Sequence, residues 1–503
     1  MTLLKTHFKE ELGRALSEIK ELYLEKNNIP WIIGYSGGKD STAVLQLVWM
    51  ALADLPKDQR KRTVHVISTD TLVENPIVAA WVDNSLSVME DCARKEDLPI
   101  FPKKLTPNIK ETFWVNLIGK GYPAPKNQFR WCTDRLKIKP VSTFVREMSD
   151  GTNEAIIVLG TRKAESHARA MRIKNTYEKK KVTELLTPHN DLIGSYIYSP
   201  IVEWSNDDVW LFLMQKKNPW GHDNKALLAL YSGATDGGEC PLVVDTSTPS
   251  CGDSRFGCWV CTIVDKDKSM SAMIMNDTEK QWMGPLLKLR NELDEHDHDK
   301  RDYRRLNGTV NLKKTKEELV PGPYTQKSRE TWLRELLKVQ RVIHEGDETP
   351  PEVKEIKLIS DAELQEIRRI WVVEKYEIED TLPKIFEETL GKPYFEKDVK
   401  DNSQPFKNDD MQLLKDDVCL GDEVKFSTLR ELMEIERRYR TSTRRSGIIG
   451  ELTKALKKGF YDDHQDALDF VLQKKELARP LEDIKEKNLQ EFVQSIEEAE
   501  RNT

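Results

Sequence analysis

A chain of 503 residues is longer than one ordinary hydrophobic core organises, so two or three domains are expected. A formal net charge of −7 excludes a protein that coats nucleic acid by bulk electrostatics, and leaves any DNA or RNA contact to a local basic patch or a partner. No apolar run approaches the ~18 residues of a membrane span, and the N-terminus reads as a charged amphipathic helix with Phe8, Leu12, Leu16, Ile19 and Tyr23 on one side; a cytoplasmic protein is expected.

After that helix, the apolar run from Trp31 to Gly34 reads as a first strand, which turns through Ser36-Gly37-Gly38-Lys39-Asp40-Ser41 into an amphipathic run from Thr42 to Leu52. A strand entering a helix through glycines gathers backbone N–H groups beside the positive end of the helix dipole, which makes a phosphate cradle. Lys39 adds a point charge, and Ser36 and Ser41 add hydroxyls. This is not the G-x-x-x-x-G-K-S/T loop of NTPases that release a terminal phosphate. A second strand, Val64 to Ser68, leads to Asp70 and Glu74, which helical crossovers in a parallel sheet would set beside the glycine loop. A helix follows through Ala80, Val82 and Val88, whereas Ile100-Phe101 is too brief to read firmly as a strand. A loop over Gly119 to Lys126 precedes a segment with Arg130, Cys132, Arg135 and Lys137. The clearest strand, Ala155 to Leu159, runs into Gly160-Thr161-Arg162 and on to Arg169. Tyr198 to Trp204 and a helix capped by Ser205 or Asn206 complete the unit.

Strands alternating with helices predict an α/β domain with a doubly wound, mostly parallel sheet over residues 1–232. From Gly233 the composition turns to Gly, Ser, Thr, Pro and Cys, which delimits a four-cysteine segment, 233–268. Residues 269–503 are charged and helix-periodic, a mainly helical C-terminal region suited to DNA or partner binding.

Cysteine usage points to metal or redox chemistry and not to a disulfide framework. Cys240, Cys251, Cys258 and Cys261 stand as C-x10-C-x6-C-x2-C. Four thiolates can hold zinc or an iron–sulfur cluster; a single knuckle preceded by two separated cysteines suits the larger cubane better than a zinc ribbon. Cys132, flanked by Arg130, Arg135 and Lys137, is expected to have a depressed pKa and to handle sulfur. Cys92 and Cys419 read as passive, and Trp204 and Trp210 as core aromatics. Two basic stretches, Arg301 with Arg304 and Arg305, and Arg437, Arg438, Arg440, Arg444 and Arg445, are either solvated faces or phosphate contacts.

The glycine loop, Asp70-Thr71, Arg130-Trp131-Cys132 with Lys137 and Pro140, Gly160-Thr161-Arg162 with Glu165, Ser166 and Arg169, and Pro200-Ile201 through Trp204 to Trp210 occur in an order that resembles the sulfonucleotide (PAPS) reductase branch of the ATP pyrophosphatase, or PP-loop, superfamily. The resemblance implies an adenine nucleotide across the carboxyl ends of the strands. Ser36, Gly37, Gly38, Lys39, Asp40 and Ser41 would then hold pyrophosphate, Asp70 would lie near the ribose, and Arg162 and Arg169 would approach the phosphates from the opposite side. Mg2+ would be the counter-ion, with Asp40 or Asp70 as oxygen donors. The implied catalytic set is Cys132, Lys39, Asp40 and Arg162.

Trp131 stands where cluster-bearing sulfonucleotide reductases have the first of two adjacent cysteines, and Glu239-Cys240-Pro241-Leu242 lacks the Gly and His of their catalytic tail. With the four-cysteine insert, Trp282, Arg290, the Arg301 to Arg305 run and Pro321-Gly322-Pro323-Tyr324, the chain resembles the DndC-type sulfurtransferase family of bacterial DNA phosphorothioation. That family implies ATP-dependent activation of a DNA phosphate followed by sulfur insertion, a 4Fe–4S cluster on Cys240, Cys251, Cys258 and Cys261, and a cysteine desulfurase as sulfur donor. It further implies an SMC-like ATPase and a small DNA-binding protein as partners. The competing readings are a tRNA thiolase, a PAPS or APS reductase, and a metal-stabilised nucleic-acid-binding subunit with a vestigial nucleotide site.

Overall fold

Short buried strands alternate with longer amphipathic helices along the first half of the chain, and in the computed structural model they assemble a six-stranded sheet in the order β3-β2-β1-β4-β6-β5. The structure describes residues 2–476 apart from 26–28, 150–153, 166–169, 172–182, 184, 190–191, 193, 235–255, 295–297, 306–308, 314–316, 348, 352, 378, 397–405 and 441. The chain forms two compact units, one of Met1–Phe113, Ala124–Glu295 and Leu336–Ser360, the other of Trp114–Pro123, His296–Glu335 and Asp361–Thr503.

In the first unit, β1 (Trp31–Gly34) pairs in parallel with β2 (Val64–Thr69) on one side and β4 (Ile156–Val158) on the other. β3 (Ile100–Leu105) extends the sheet beyond β2, and β6 (Tyr196–Tyr198) beyond β4, both in parallel. Only β5 (Thr187–Pro188) is antiparallel, and it closes that edge. From β1 the chain crosses to β2 and β3, then returns to lay β4 on the opposite flank of β1. The strand order therefore reverses between β1 and β4, the place where open α/β sheets leave a ligand crevice at their carboxyl ends.

Side chains alternate between the two faces of β1. Trp31 and Ile33 join a core with α1 (Thr2–Leu24), α2 (Lys39–Ala53) and α3 (Pro76–Lys95), while Ile32 joins Phe144 and Val145 of α4 (Lys139–Met148) on the other face. Both faces are thus covered, as a parallel sheet requires. Trp204, Trp210 and Phe212 close the first core with α5 (Asn206–Gln215) and α6 (Asn224–Gly233); both tryptophans are core residues, as expected. The α/β class with a doubly wound, mostly parallel sheet is therefore observed.

Beyond Tyr198 the described residues carry helices and isolated bridges but no further strand. In the first unit these include α7 (Lys268–Asn276) and α8 (Gly284–Asp294); α9 (Gln326–Glu345) follows in the chain. The second unit contains α10 (Asp361–Arg369), α11 (Thr381–Leu390), α12 (Asn408–Leu413), α13 (Glu423–Arg440) and α14 (Ile448–Lys458), with Tyr376, Met411, Cys419 and Phe426 in one of its clusters. Among the described residues no helix is long and apolar enough to cross a membrane.

Ser205, not Asn206, caps α5. Its hydroxyl accepts from the Asp208 N–H at 3.1 Å, and the Asp208 carboxylate accepts from the Ser205 N–H at 2.9 Å, which completes a capping box. Ser205→Ala should lower stability by about 1 kcal/mol. Urea unfolding followed by tryptophan fluorescence checks this, and an unchanged midpoint would contradict the cap.

Candidate active site

The carboxyl ends of β1, β2 and β4 open onto a cleft of about 460 Å³ lined by Ser36, Asp40, Ser41, Asp70, Glu74, Lys104, Lys137, Gly160, Thr161, Glu165 and Phe256, among others. Three loops supply the walls because every parallel strand ends on the same sheet edge. The glycine loop after β1 is closed by Ser41, whose hydroxyl accepts the Ser36 N–H at 3.2 Å and donates to the Gly38 carbonyl at 3.0 Å. Gly37 has φ +73°, and a β-carbon there would lie 2.5 Å from Val82 Cγ2, so both conformation and space demand glycine. α2 begins at Lys39 with no side-chain cap from its N-cap residue Gly38, which leaves the N–H groups of Asp40 and Ser41 available to an anion.

Lys39 and Arg162 converge on Asp40. Arg162 Nε donates to Asp40 Oδ1 at 2.7 Å, and Lys39 Nζ lies 3.4 Å from Asp40 Oδ2. Arg162 is only 2 % exposed and also donates to the Trp204 carbonyl at 3.3 Å, so it is no solvated helix-start charge. Gly160 permits this approach: a β-carbon there would stand 2.8 Å from the Asp40 carbonyl. Burial depresses the Lys39 pKa, while Asp40 opposes that shift. Tyr231 completes the pocket. Its hydroxyl takes the Lys39 N–H at 3.3 Å, and the Lys39 ammonium sits 5.2 Å from its ring centroid.

Asp70 serves two local tasks. Its Oδ1 accepts the Leu72 N–H at 2.8 Å, holding a turn in which Leu72 has φ +63°, and its Oδ2 lies 3.5 Å from Lys104 Nζ. Lys104 also binds Asp83 at 2.8 Å. Arg169 lies outside the described residues.

The cysteine knuckle packs behind one wall of this cleft, against Glu74. Glu74 and Cys258 form an antiparallel bridge, flanked by Asn75 N–H to the Gly257 carbonyl at 3.4 Å and Trp259 N–H to the Val73 carbonyl at 3.0 Å. Cys258 Sγ lies 3.2 Å from Thr71 Oγ1 and 3.6 Å from Glu74 Oε1, and Lys137 Nζ lies 3.6 Å from the same carboxylate oxygen. The Cys261 N–H donates to the Cys258 carbonyl at 3.0 Å, the tight turn expected of a C-x-x-C knuckle. Burial, with Glu74 beside it, pushes the Cys258 thiol up to about 12. Such a thiol becomes a thiolate only when a metal or another cation replaces its proton. Cys240 and Cys251 lie outside the described residues, and among those described no group of three His, Cys, Asp or Glu side chains forms a metal site.

Two expectations change. Cys132 is half-buried, and that burial raises its pKa; Thr133 and Lys137 pull the other way without overcoming it. Of its basic neighbours, Arg130 turns away to Asn127 Oδ1 at 2.7 Å. The basic stretches are also largely engaged. Arg301 donates to the carbonyls of Gly322 and Pro321 at 2.6 and 2.7 Å, Arg304 grips Asp302 at 2.9 Å, and Arg437 and Arg438 pair with Glu434 and Glu451. Arg445 pairs with Glu436 at 2.8 Å.

Tyr231, Lys104 and Trp81, whose indole N–H binds the Gly37 carbonyl at 3.2 Å, were not singled out from sequence, because nothing local marks them. Alkylation of Cys132 by iodoacetamide in metal-free protein, followed by mass spectrometry of its peptide, should still accelerate above pH 9.0, the ordinary thiol value. A plateau near neutrality would show a depressed pKa instead.

A family model described as the phosphoadenosine phosphosulfate reductase domain matches residues 30–222. An uncharacterized protein of Methanocaldococcus jannaschii is 29% identical over 209 residues, 41% of this chain; the match spans about a third (35%) of that protein's own length. Two solved structures are similar at low identity. The phosphoadenylyl-sulfate (PAPS) reductase of Candida auris in its phosphate complex is 11% identical, covering 43% of this chain and 88% of that one, with a TM-score of 0.27. The U34-tRNA thiolase of Methanococcus maripaludis with its 4Fe–4S cluster is 15% identical, covering 58% of this chain and 82% of that one, also with a TM-score of 0.27. Residues 30–222, the stretch that matches the phosphoadenosine phosphosulfate reductase domain model, hold the glycine loop, β1 to β6 and Arg162.

Proposed function

We propose that this protein is an ATP pyrophosphatase-type sulfurtransferase that activates a DNA backbone phosphate and inserts sulfur at a non-bridging oxygen. The observation that carries the reading is the bridge between Glu74 and Cys258, which ties a thiol-bearing segment to a residue that lines the cleft of the glycine loop. In the first step a phosphate oxygen of DNA attacks the α-phosphorus of ATP. The α–β bridging P–O bond breaks, and pyrophosphate leaves with the electron pair. Charge builds on the leaving group beside the glycine loop, where first-turn N–H groups, Lys39 and Arg162 supply preorganised positive potential. Bound phosphates would compete with Asp40 for both cations.

In the second step a sulfur nucleophile attacks the activated DNA phosphorus, and AMP leaves with the electrons of its P–O bond. Cys132 carries that sulfur as a persulfide formed with a cysteine desulfurase; a thiolate then attacks Cys132 Sγ, the outer sulfur leaves on the DNA phosphorus with the S–S electron pair, and a second equivalent of an external thiol reductant reduces the disulfide left at Cys132. The Cys258-x-x-Cys261 turn fits one edge of an iron–sulfur cluster, with Cys240 and Cys251 completing the ligand set. Such a cluster supplies thiolate-held iron able to bind or relay sulfur. Asp70 would be the carboxylate that helps hold Mg2+, which would supply neutralising charge to the polyphosphate, since Asp40 already answers two cations, Lys39 and Arg162. DNA contact falls to exposed cations, Arg440 at the end of α13, Arg444 beyond it and Lys454 and Lys457 on α14, with an SMC-like ATPase and a small DNA-binding protein as assembly partners.

Lys39→Ala should abolish pyrophosphate release from ATP while iron content stays at the wild-type level; undiminished release would remove the nucleotide assignment. Cys258→Ser should lose iron and its visible absorbance after anaerobic purification. Full iron occupancy in that variant would refute the ligand set. Incubating wild-type protein with ATP and desulfurase in the presence of DNA or of tRNA tests the substrate: phosphorothioate in DNA supports the reading, and thiolated tRNA bases overturn it.

A further inference from the structure

The glycine loop contains a peptide whose direction its own residues do not determine. Gly37 and Gly38 lack β-carbons, so the plane between them can turn either way at little steric cost. Its direction matters because the C=O and N–H of a trans peptide point oppositely. If the Gly37 carbonyl faced the cleft, it would repel phosphate; if it faces away, the Gly38 N–H faces in.

The carbonyl is held by Trp81, whose indole N–H donates to it at 3.2 Å. Trp81 stands on α3, and the two faces of that helix are distinct. Val78, Ala79, Val82 and Asp83 line the nucleotide cleft, whereas Ile77, Ala80, Trp81 and Asn84 line a separate groove on the far side. The Gly37 carbonyl is therefore drawn away from the cleft. The indole is itself fixed, since it lies against the His222 ring with centroids 3.9 Å apart and planes 35° apart. Other loop groups are tethered elsewhere, Ser36 N–H to Ser41 and Lys39 N–H to Tyr231, which leaves the Gly37–Gly38 peptide as the element that Trp81 orients.

We infer that Trp81 is a positioning residue for phosphate binding, which acts by turning the Gly38 N–H into the cleft from a side chain that does not line it. The inference rests on the nucleotide reading of the loop. It also gives the two glycines complementary parts: freedom to adopt the required plane, and dependence on an outside donor to select it.

The test uses the full-length protein and calorimetric binding of ATP, pyrophosphate and adenosine. Trp81→Phe keeps an aromatic ring against His222 and removes the N–H. ATP and pyrophosphate should bind roughly tenfold or more weakly, the worth of a hydrogen bond to a charged group, while adenosine affinity stays unchanged. Ile77→Ala alters the same outer groove without touching the loop, and it should leave all three affinities intact. Equal ATP affinity in Trp81→Phe overturns the inference, as does an equal loss for adenosine or an equal loss in Ile77→Ala. Wild-type protein that binds no ATP removes the nucleotide reading and the inference with it.

Discussion

The carboxylate of Asp40, shared between Arg162 Nε at 2.7 Å and Lys39 Nζ at 3.4 Å, ties together the loops that follow β1 and β4. Two cations this far from water are tolerated only with a counter-charge at contact distance. Asp40 supplies it from the first turn of α2, where the helix dipole also favours an acid. Arg162 reaches that position because Gly160 lets its strand end press against the Asp40 backbone. The strand reversal between β1 and β4, the start of α2 and the placement of the cations thus form one mechanical unit. A polyphosphate entering the cleft would meet positive charge already gathered, at the cost of sharing it with Asp40.

A few residues after β2 join the side of the cleft that holds the glycine loop to the cysteine knuckle. Thr71, Glu74 and the backbone of Val73 to Asn75 contact the segment from Gly257 to Trp259, and Lys137 meets Glu74 from the helix after Cys132. Desolvation works against the Lys137 ammonium, yet the Glu74 carboxylate beside it helps hold its pKa above the ordinary lysine value. Positive charge therefore faces the Cys258 thiol on one side and the cleft on the other.

The loop and its flanking strands were legible because glycines, an apolar strand and a helix start lie together within the span from Trp31 to Ala53. β3 was not, because it is an edge strand: Pro102, Lys103 and Lys104 interrupt its apolar pattern, and Phe101 is 52% exposed. Such residues suit an edge and blur the signal for a strand. Asp70 and Glu74 were legible from the geometry of parallel strands, whereas Tyr231 and Trp81 reach the loop from 192 and 44 residues away in sequence and carry no local mark. The Cys132 pKa was misread because neighbours in sequence are not neighbours in space, and burial outweighs the one cation that does face it. Within the charge runs, Arg304 pairs with nearby Asp302 and Arg437 with Glu434 one helical turn away, whereas the pairing of Arg438 with Glu451 is invisible until the helices are packed.

The central claim is that this cleft breaks ATP between its α- and β-phosphates so that sulfur can follow. Its most direct test is product analysis with ATP carrying label in the α-phosphate, using the anaerobically purified protein with DNA, cysteine and a desulfurase. The account predicts labelled AMP and an equal amount of pyrophosphate, in step with phosphorothioate appearing in the DNA. Labelled ADP with inorganic phosphate would contradict it.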